Sequence, residues 1–198
     1  MGRTTGLQPI RFQEGTATQM TATATAVWQI DTSHSSVTFT VRHMFTKMRG
    51  RFARFTGEIV TEGDSFTNGS VNVQIEADSV DTNDPQRDGH LRTNDFFGSD
   101  ENPTLTFVST SITPRSGNDF LVNGNLTIRG ITRPVTLTAE YEGGGKTPFG
   151  TEVASWTAHT EINRKDFDLN WNAPLEAGGF LVGDDIKIEL AIEAVRQA

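Results

Sequence analysis

Asp185-Ile186-Lys187-Ile188-Glu189-Leu190-Ala191-Ile192-Glu193-Ala194-Val195 is the stretch that decides the fold class of this chain. Ile186, Ile188, Leu190 and Ile192 occupy alternate positions, set against Lys187, Glu189, Ala191 and Glu193. Side chains alternate across a β-strand, so the segment is a strand with one apolar face and one wet face. A helix would need its apolar residues three and four apart instead.

The same period recurs along the chain. Ser36–Met44 sets Val37, Phe39 and Val41 against Thr38, Thr40 and Arg42. Ser70–Ala77 sets Val71, Val73 and Ile75 against Asn72, Gln74 and Glu76. Phe120–Arg129 and Thr136–Glu142 alternate in the same way, through Phe120, Val122, Leu126 and Ile128 and through Leu137, Ala139 and Tyr141. Arg51–Val60, Thr104–Ile112 and Glu152–Asn163 are less regular strand candidates. Phe52 and Phe55 are out of phase with each other, which predicts a bulge near Ala53.

This makes eight strands. Glu62-Gly63-Asp64, Ser116-Gly117-Asn118, Gly143-Gly144-Gly145 and Gly178-Gly179 supply turn chemistry between them. Each clear strand has only one apolar face, whereas a parallel sheet would need both faces apolar and helical crossovers. The prediction is an all-β antiparallel protein, as a closed barrel or a sandwich. Asn83–Ser99 breaks the rhythm. Asp84 before Pro85 is a helix start, and a short helix is expected across one end of the barrel, between the third and fourth strands.

Composition narrows the function classes. The net charge is −8, against a general nucleic-acid binder. There is no cysteine, which excludes disulfides, thiolate catalysis and Cys-based zinc sites. No apolar run approaches the roughly 18 residues that a membrane span requires. Residues 1–26 read as a flexible polar tail and 27–198 as the folded domain. The tail has no apolar secretory core, so a cytoplasmic location is expected.

The motifs along the chain are specific as an ordered set. Trp28-Gln29-Ile30-Asp31-Thr32-Ser33-His34-Ser35-Ser36 leads into the Val37–Met44 strand, and Arg49-Gly50-Arg51-Phe52 follows. Then come Arg87-Asp88-Gly89-His90-Leu91-Arg92, Gly124-Asn125-Leu126-Thr127-Ile128-Arg129-Gly130, Ile162-Asn163-Arg164-Lys165-Asp166-Phe167 and Gly183-Asp184-Asp185-Ile186. From Trp28 to Val195 this order resembles the YceI-like family of polyisoprenoid-binding, lipocalin-like proteins. The resemblance implies an eight-stranded lipocalin-like barrel around an elongated apolar pocket. It implies a long-chain isoprenoid ligand, of the quinone-tail or polyprenyl-phosphate class, and a possible homodimer. Asp168 stands where relatives often have Gly, so that turn is expected to differ.

Alternation alone is compatible with a barrel filled by side chains, which makes a structural or stress-associated interaction protein, and with one that encloses a ligand. The resemblance favours the ligand. The expected pocket wall is Phe39, Val41, Phe52, Phe55, Val73, Ile75, Phe107, Phe120, Leu126, Ile128, Leu137, Trp156, Ile188 and Leu190. For a polar head group the candidates are His43, which shares the parity of Val37, Phe39 and Val41, and the basic residues Arg42, Arg49 and Arg51. Between Arg42 and Gly57 lie Arg42, Lys47, Arg49, Arg51 and Arg54 and no acid. A solvated hairpin would show the same charge run. No metal site, cofactor or catalytic residue is expected: no HExxH, phosphate loop or G-x-S-x-G is present, and Asp88 with His90 is only a nominal acid–base pair.

Overall fold

The alternating segments do pair into one antiparallel sheet, and the sheet closes. The structure, a computed structural model, describes residues 25–198 apart from Asp64 and Ala177. The predicted tail lies outside the described residues except for Thr25 and Ala26, which belong to a strand.

The strands are β1 (Thr25–Ile30), β2 (Ser36–His43), β3 (Thr46–Phe52), β4 (Phe55–Glu62), β5 (Ser65–Glu76), β6 (Val80–Asp81), β7 (Thr104–Pro114), β8 (Asp119–Ile128), β9 (Ile131–Lys146), β10 (Glu152–Asn163) and β11 (Val182–Arg196). One helix, α1 (Pro85–Arg92), follows β6. The ring runs β1-β4-β5-β7-β8-β9-β10-β11 and returns to β1 through Trp28↔Arg196 and Ile30↔Ala194. It is a closed, eight-stranded antiparallel barrel.

Three of the eight staves are broken at one level. β1 and β2 lie end to end against β11, at Ile30↔Ala194 and Ser36↔Ala191, with Asp31–Ser35 looped out between them. β3 continues into β4 across Ala53–Arg54, where the bulge was expected. β5 continues into β6 through a single turn of 3-10 helix, Ala77–Ser79. Backbone groups freed by the breaks find other partners, as buried amides must. Ala53 N–H donates to Ser79 O at 3.0 Å, and Glu76 N–H donates to Arg54 O at 3.0 Å.

The loop at Asp31 explains its own sequence. The Asp31 carboxylate accepts from Ser33 N–H at 2.8 Å, from Ser33 Oγ at 2.6 Å and from His34 Nδ1 at 2.9 Å. Ser35 Oγ accepts from Glu193 N–H and donates to Glu193 O, standing in for a missing residue of the ladder. Turn chemistry is equally local at the β8–β9 hairpin. Arg129 (φ 52°) and Gly130 (φ 72°) are both left-handed, the pattern of a type I′ turn.

α1 starts as read. The Asp84 side chain accepts from Gln86 N–H and Arg87 N–H, both at 3.1 Å, and Pro85 sits in the first turn. The helix is shorter than the Asn83–Ser99 segment that contains it. Its buried Asp88 accepts from Thr82 N–H and Thr82 Oγ1, which fastens α1 to the end of β6.

Candidate functional site: an apolar cavity inside the barrel

Inward-facing residues of the eight staves do not all meet in the middle. Those toward one end do. Trp28, Phe66, Phe120, Tyr141 and Trp156 form a cluster with ring centroids 5.1–6.3 Å apart. Trp28 Nε1 donates to the buried Thr61 Oγ1 at 3.0 Å, which fixes one indole. This cluster stoppers the barrel end that carries the β9–β10 turn.

Beyond it the barrel is hollow, with a cavity volume of about 590 Å³. That lies within the roughly 300–1,000 Å³ of small-molecule sites. Its wall takes alternate residues from nearly every stave, such as Val71, Val73 and Ile75 on β5 and Ile186, Ile188, Leu190 and Ile192 on β11. These side chains point inward, yet they are only partly buried. In a filled core they would be wholly buried. Their remaining accessible surface is the wall of the cavity.

The other end is where polar groups gather. His43 from β2, Gln86, Arg87 and His90 from α1, and Arg164 after β10 all line the cavity there, with Trp171, Leu181 and Val182. His90 is held by its neighbours: its ring meets Trp171 edge-on at 4.7 Å and its Nε2 is 2.8 Å from Asp95 Oδ2. Arg87 donates through Nε to Thr82 Oγ1 at 2.7 Å and through Nη2 to Thr82 O at 2.9 Å. Among the described residues the His43 ring makes no hydrogen bond.

Arg164 braces this end. It is 2 % exposed and donates to the carbonyls of Gly183, Leu169 and Trp171, with Asp184 Oδ1 at 3.2 Å. Burial pushes its pKa down from the ordinary value, and Asp184 opposes that. Asp168 completes the turn with φ 59° and ψ 26°, the left-handed geometry that glycine favours. Asp is one of the few residues other than glycine that tolerate this geometry.

The predicted wall is mostly where parity put it. Phe39, Val41, Phe52, Val73, Ile75, Phe107, Leu126, Ile128, Leu137, Trp156, Ile188 and Leu190 line the cavity, as does His43. Phe55 and Phe120 do not. Phe55 is buried just after the strand break, in the packed cluster of the barrel, and borders a separate pocket with Ser99 and Pro103. Phe120 packs edge-on against Phe66 in the aromatic stopper, at 5.1 Å.

The basic head-group candidates need a larger correction. Arg42, Arg49 and Arg51 are exposed on the outer face of the β2–β3 hairpin, out of phase with Val41, His43, Met48 and Phe52. Arg51 is paired with Asp81 at 2.8 Å. Asp88 and His90 do not pair either; each has a different partner. His34 is exposed in the Asp31 loop, away from the cavity. The ligand atoms of Asp31, His34 and Glu193 lie within 4.8 Å of one another, His34 Nδ1 being 2.9 Å from Asp31 Oδ2 and 3.7 Å from Glu193 Oε1 on β11. Among the residues missed, those of α1 and the segment around Trp171 to Val182 carry no strand period, while Ile30, Met48, Ile59 and Phe66 lie on strands whose inward positions were not assigned.

Residues 28–194 match the YceI-like domain. The chain belongs to the YceI-like family. Its relatives include a UPF0312 protein of Shewanella denitrificans, 34% identical over 181 residues that cover 89% of this chain and 91% of that one. The YceI-like barrel is also similar to solved structures. BcnA of Burkholderia cenocepacia superposes with a TM-score of 0.73 at 24% identity, over 83% of this chain and 98% of that one. A polyisoprenoid binding domain from Saccharophagus degradans gives a TM-score of 0.62 at 16% identity, over 86% and 98% respectively. At these identities the two structures establish the fold. Among the described residues no helix is long and apolar enough to cross a membrane.

Proposed function

We propose that this YceI-like protein binds a long-chain isoprenoid-type lipid, to sequester or carry it, with the chain inside the barrel. The observation that carries the reading is the accessible surface retained by inward aliphatic side chains around a cavity of about 590 Å³. Burying a hydrocarbon chain there gains about 0.8 kcal/mol per methylene, which a mostly aliphatic and aromatic wall supplies without specific contacts. The shared fold with the polyisoprenoid binding domain of Saccharophagus degradans supports the choice of an isoprenoid. The chain would run toward the aromatic stopper. Its head group, of the quinone or polyprenyl-phosphate class, would face His43, whose ring is free to bond it, beside Gln86 and Arg87.

The reading is of a carrier rather than an enzyme, since the polar groups at that end are largely engaged with Thr82, Asp84 and Asp95. An interaction protein with a filled barrel is the rival, and the cavity counts against it. The test is extraction of the detergent-free purified protein with organic solvent, followed by mass identification. A lipid whose fragments step by isoprene units is the expected result. A protein that is empty, and that stays empty in native mass spectrometry after incubation with a polyprenyl phosphate and a long-tailed quinone, overturns the reading.

A further inference from the structure

The β2–β3 hairpin ends in a strained tip. Met44 and Phe45 form its two-residue turn, and Met44 has φ 51°. A left-handed turn position is ordinarily filled by Gly, Asn or Asp. Here it holds Met, followed by a Phe that is 84% exposed. Met44 N–H donates to Leu181 O at 2.8 Å, which fixes the tip beside Phe180, itself 66% exposed. So Met44, Phe45 and Phe180 crown one end of the barrel with apolar surface.

That end is the one where the cavity has its polar groups. His43 pairs with Val182, and both line the cavity together with Leu181. Just behind the apolar crown, the outer face of the hairpin is basic. Arg42 stands opposite Lys47 across the hairpin, and Arg49 follows opposite Thr40. Among the described residues none of Arg42, Lys47 and Arg49 forms an ion pair, whereas Arg51 and Arg54 are taken up by Asp81, Glu76 and Asp78. On the adjoining segment the acids are Glu176, Asp184 and Asp185, of which Asp184 is engaged by Lys165 and Arg164. Exposed Met44, Phe45 and Phe180 beside three basic residues without ion pairs make a surface that is locally apolar and basic, on a chain of net charge −8.

We infer that this crown docks the barrel, by the end bearing His43, on an anionic lipid bilayer. The apolar tip enters the headgroup boundary, and Arg42, Lys47 and Arg49 lie against the lipid phosphates. A free phosphate compound would use the basic residues alone and leave Phe45 and Phe180 in water. A bilayer uses both. The inference rests on the carrier reading, because docking would bring the cavity end bearing His43 to the place where a lipid enters or leaves.

Vesicle flotation tests it, with full-length protein and vesicles of phosphatidylcholine alone or mixed with phosphatidylglycerol. Wild type is expected to float with the mixed vesicles and to detach as salt rises. Phe45→Ser should weaken binding roughly tenfold, as loss of one buried aromatic predicts. Arg42→Gln, Lys47→Gln and Arg49→Gln together should weaken it roughly a hundredfold. Phe149→Ser is the control: Phe149 is 94% exposed, on the β9–β10 turn at the stoppered end, and its loss should change nothing. Absence of flotation, equal flotation with neutral vesicles, or a Phe149→Ser loss as large as that of Phe45→Ser overturns the docking surface. Far-ultraviolet circular dichroism of each variant excludes unfolding as the cause. Extracted lipid is measured on the same samples. Lipid present without vesicle binding defeats docking and leaves the carrier reading standing; vesicle binding by a barrel that never takes up lipid defeats the carrier reading and the transfer role resting on it.

Discussion

The ring of Phe39 on β2 lies across Gly50 on β3, its register partner, so closely that a Cβ on Gly50 would stand 2.3 Å from Phe39 Cζ. The absent side chain is what lets the ring lie along the wall. Phe107 lies over Gly124 in the same way, with a Cβ there 2.4 Å from its Cζ. In each case glycine serves close packing and not a positive φ.

Gly50→Ala is therefore expected to swing Phe39 away from the wall and into the cavity. Overpacking of this kind costs about 1–3 kcal/mol. Denaturant unfolding should show that loss, and the lipid content per protein should fall because the ring occupies ligand space. Unchanged stability and unchanged lipid content would contradict the geometry.

Ala158 offers the opposite experiment. It faces the cavity from β10 and is only partly buried. Ala158→Trp should fold with a stability change under about 1 kcal/mol, since the indole enters open space, and should cut lipid uptake at least tenfold by filling it. A packed interior would respond differently, losing about 1–3 kcal/mol to strain. Thermal unfolding alongside uptake of a polyprenyl phosphate separates the two.

Arg164 should be intolerant of both truncation and conservative exchange. Arg164→Ala leaves the carbonyls of Gly183, Leu169 and Trp171 without their donor, at a cost of about 3 kcal/mol or more. Arg164→Lys should recover little, because an ammonium cannot span three carbonyls with the reach of a guanidinium fork. Hydrogen exchange should localise the loosening to residues 164–184.

The Asp31 loop should give the protein a small pH response. Hydrogen bonds from Ser33 and then His34 hold the Asp31 carboxyl well below the usual carboxylate range, and Asp31 raises His34 above its ordinary 6.5. A raised His contributes fully below about pH 6.5 and loses its contribution as pH climbs through the raised value. A lowered Asp contributes fully above about pH 4 and loses its contribution as pH falls toward the lowered value. The loop is then tightest between about pH 4 and 6.5. Proton NMR should show His34 titrating above its ordinary range in wild type and lower in Asp31→Asn, where only Glu193 still raises it. His34 is exposed and Asp31 partly so, and the global melting temperature should move only slightly.

Much of the barrel was legible in the chain because a strand's period is local. Ile186, Ile188, Leu190 and Ile192 declare their shared face whatever they pack against. The outward position of Arg42 is legible too, since the parity that turns His43 inward turns Arg42 outward; a run of charge along the hairpin carries no face of its own. The helix start at Asp84-Pro85 was legible for the same reason, a cap being a contact between near neighbours.

What sequence periodicity determined by itself was which face of each strand is apolar. Whether eight such faces meet or stand apart depends on how the staves tilt and stagger, which no single segment encodes. Tertiary structure decided that Trp28, Phe66 and Trp156 stopper one end, that Phe55 and Phe120 are used in packing, and that a cavity remains between the stopper and α1. It also joined Met44 to Leu181, far apart in the chain, at the end where that cavity meets His43 and α1.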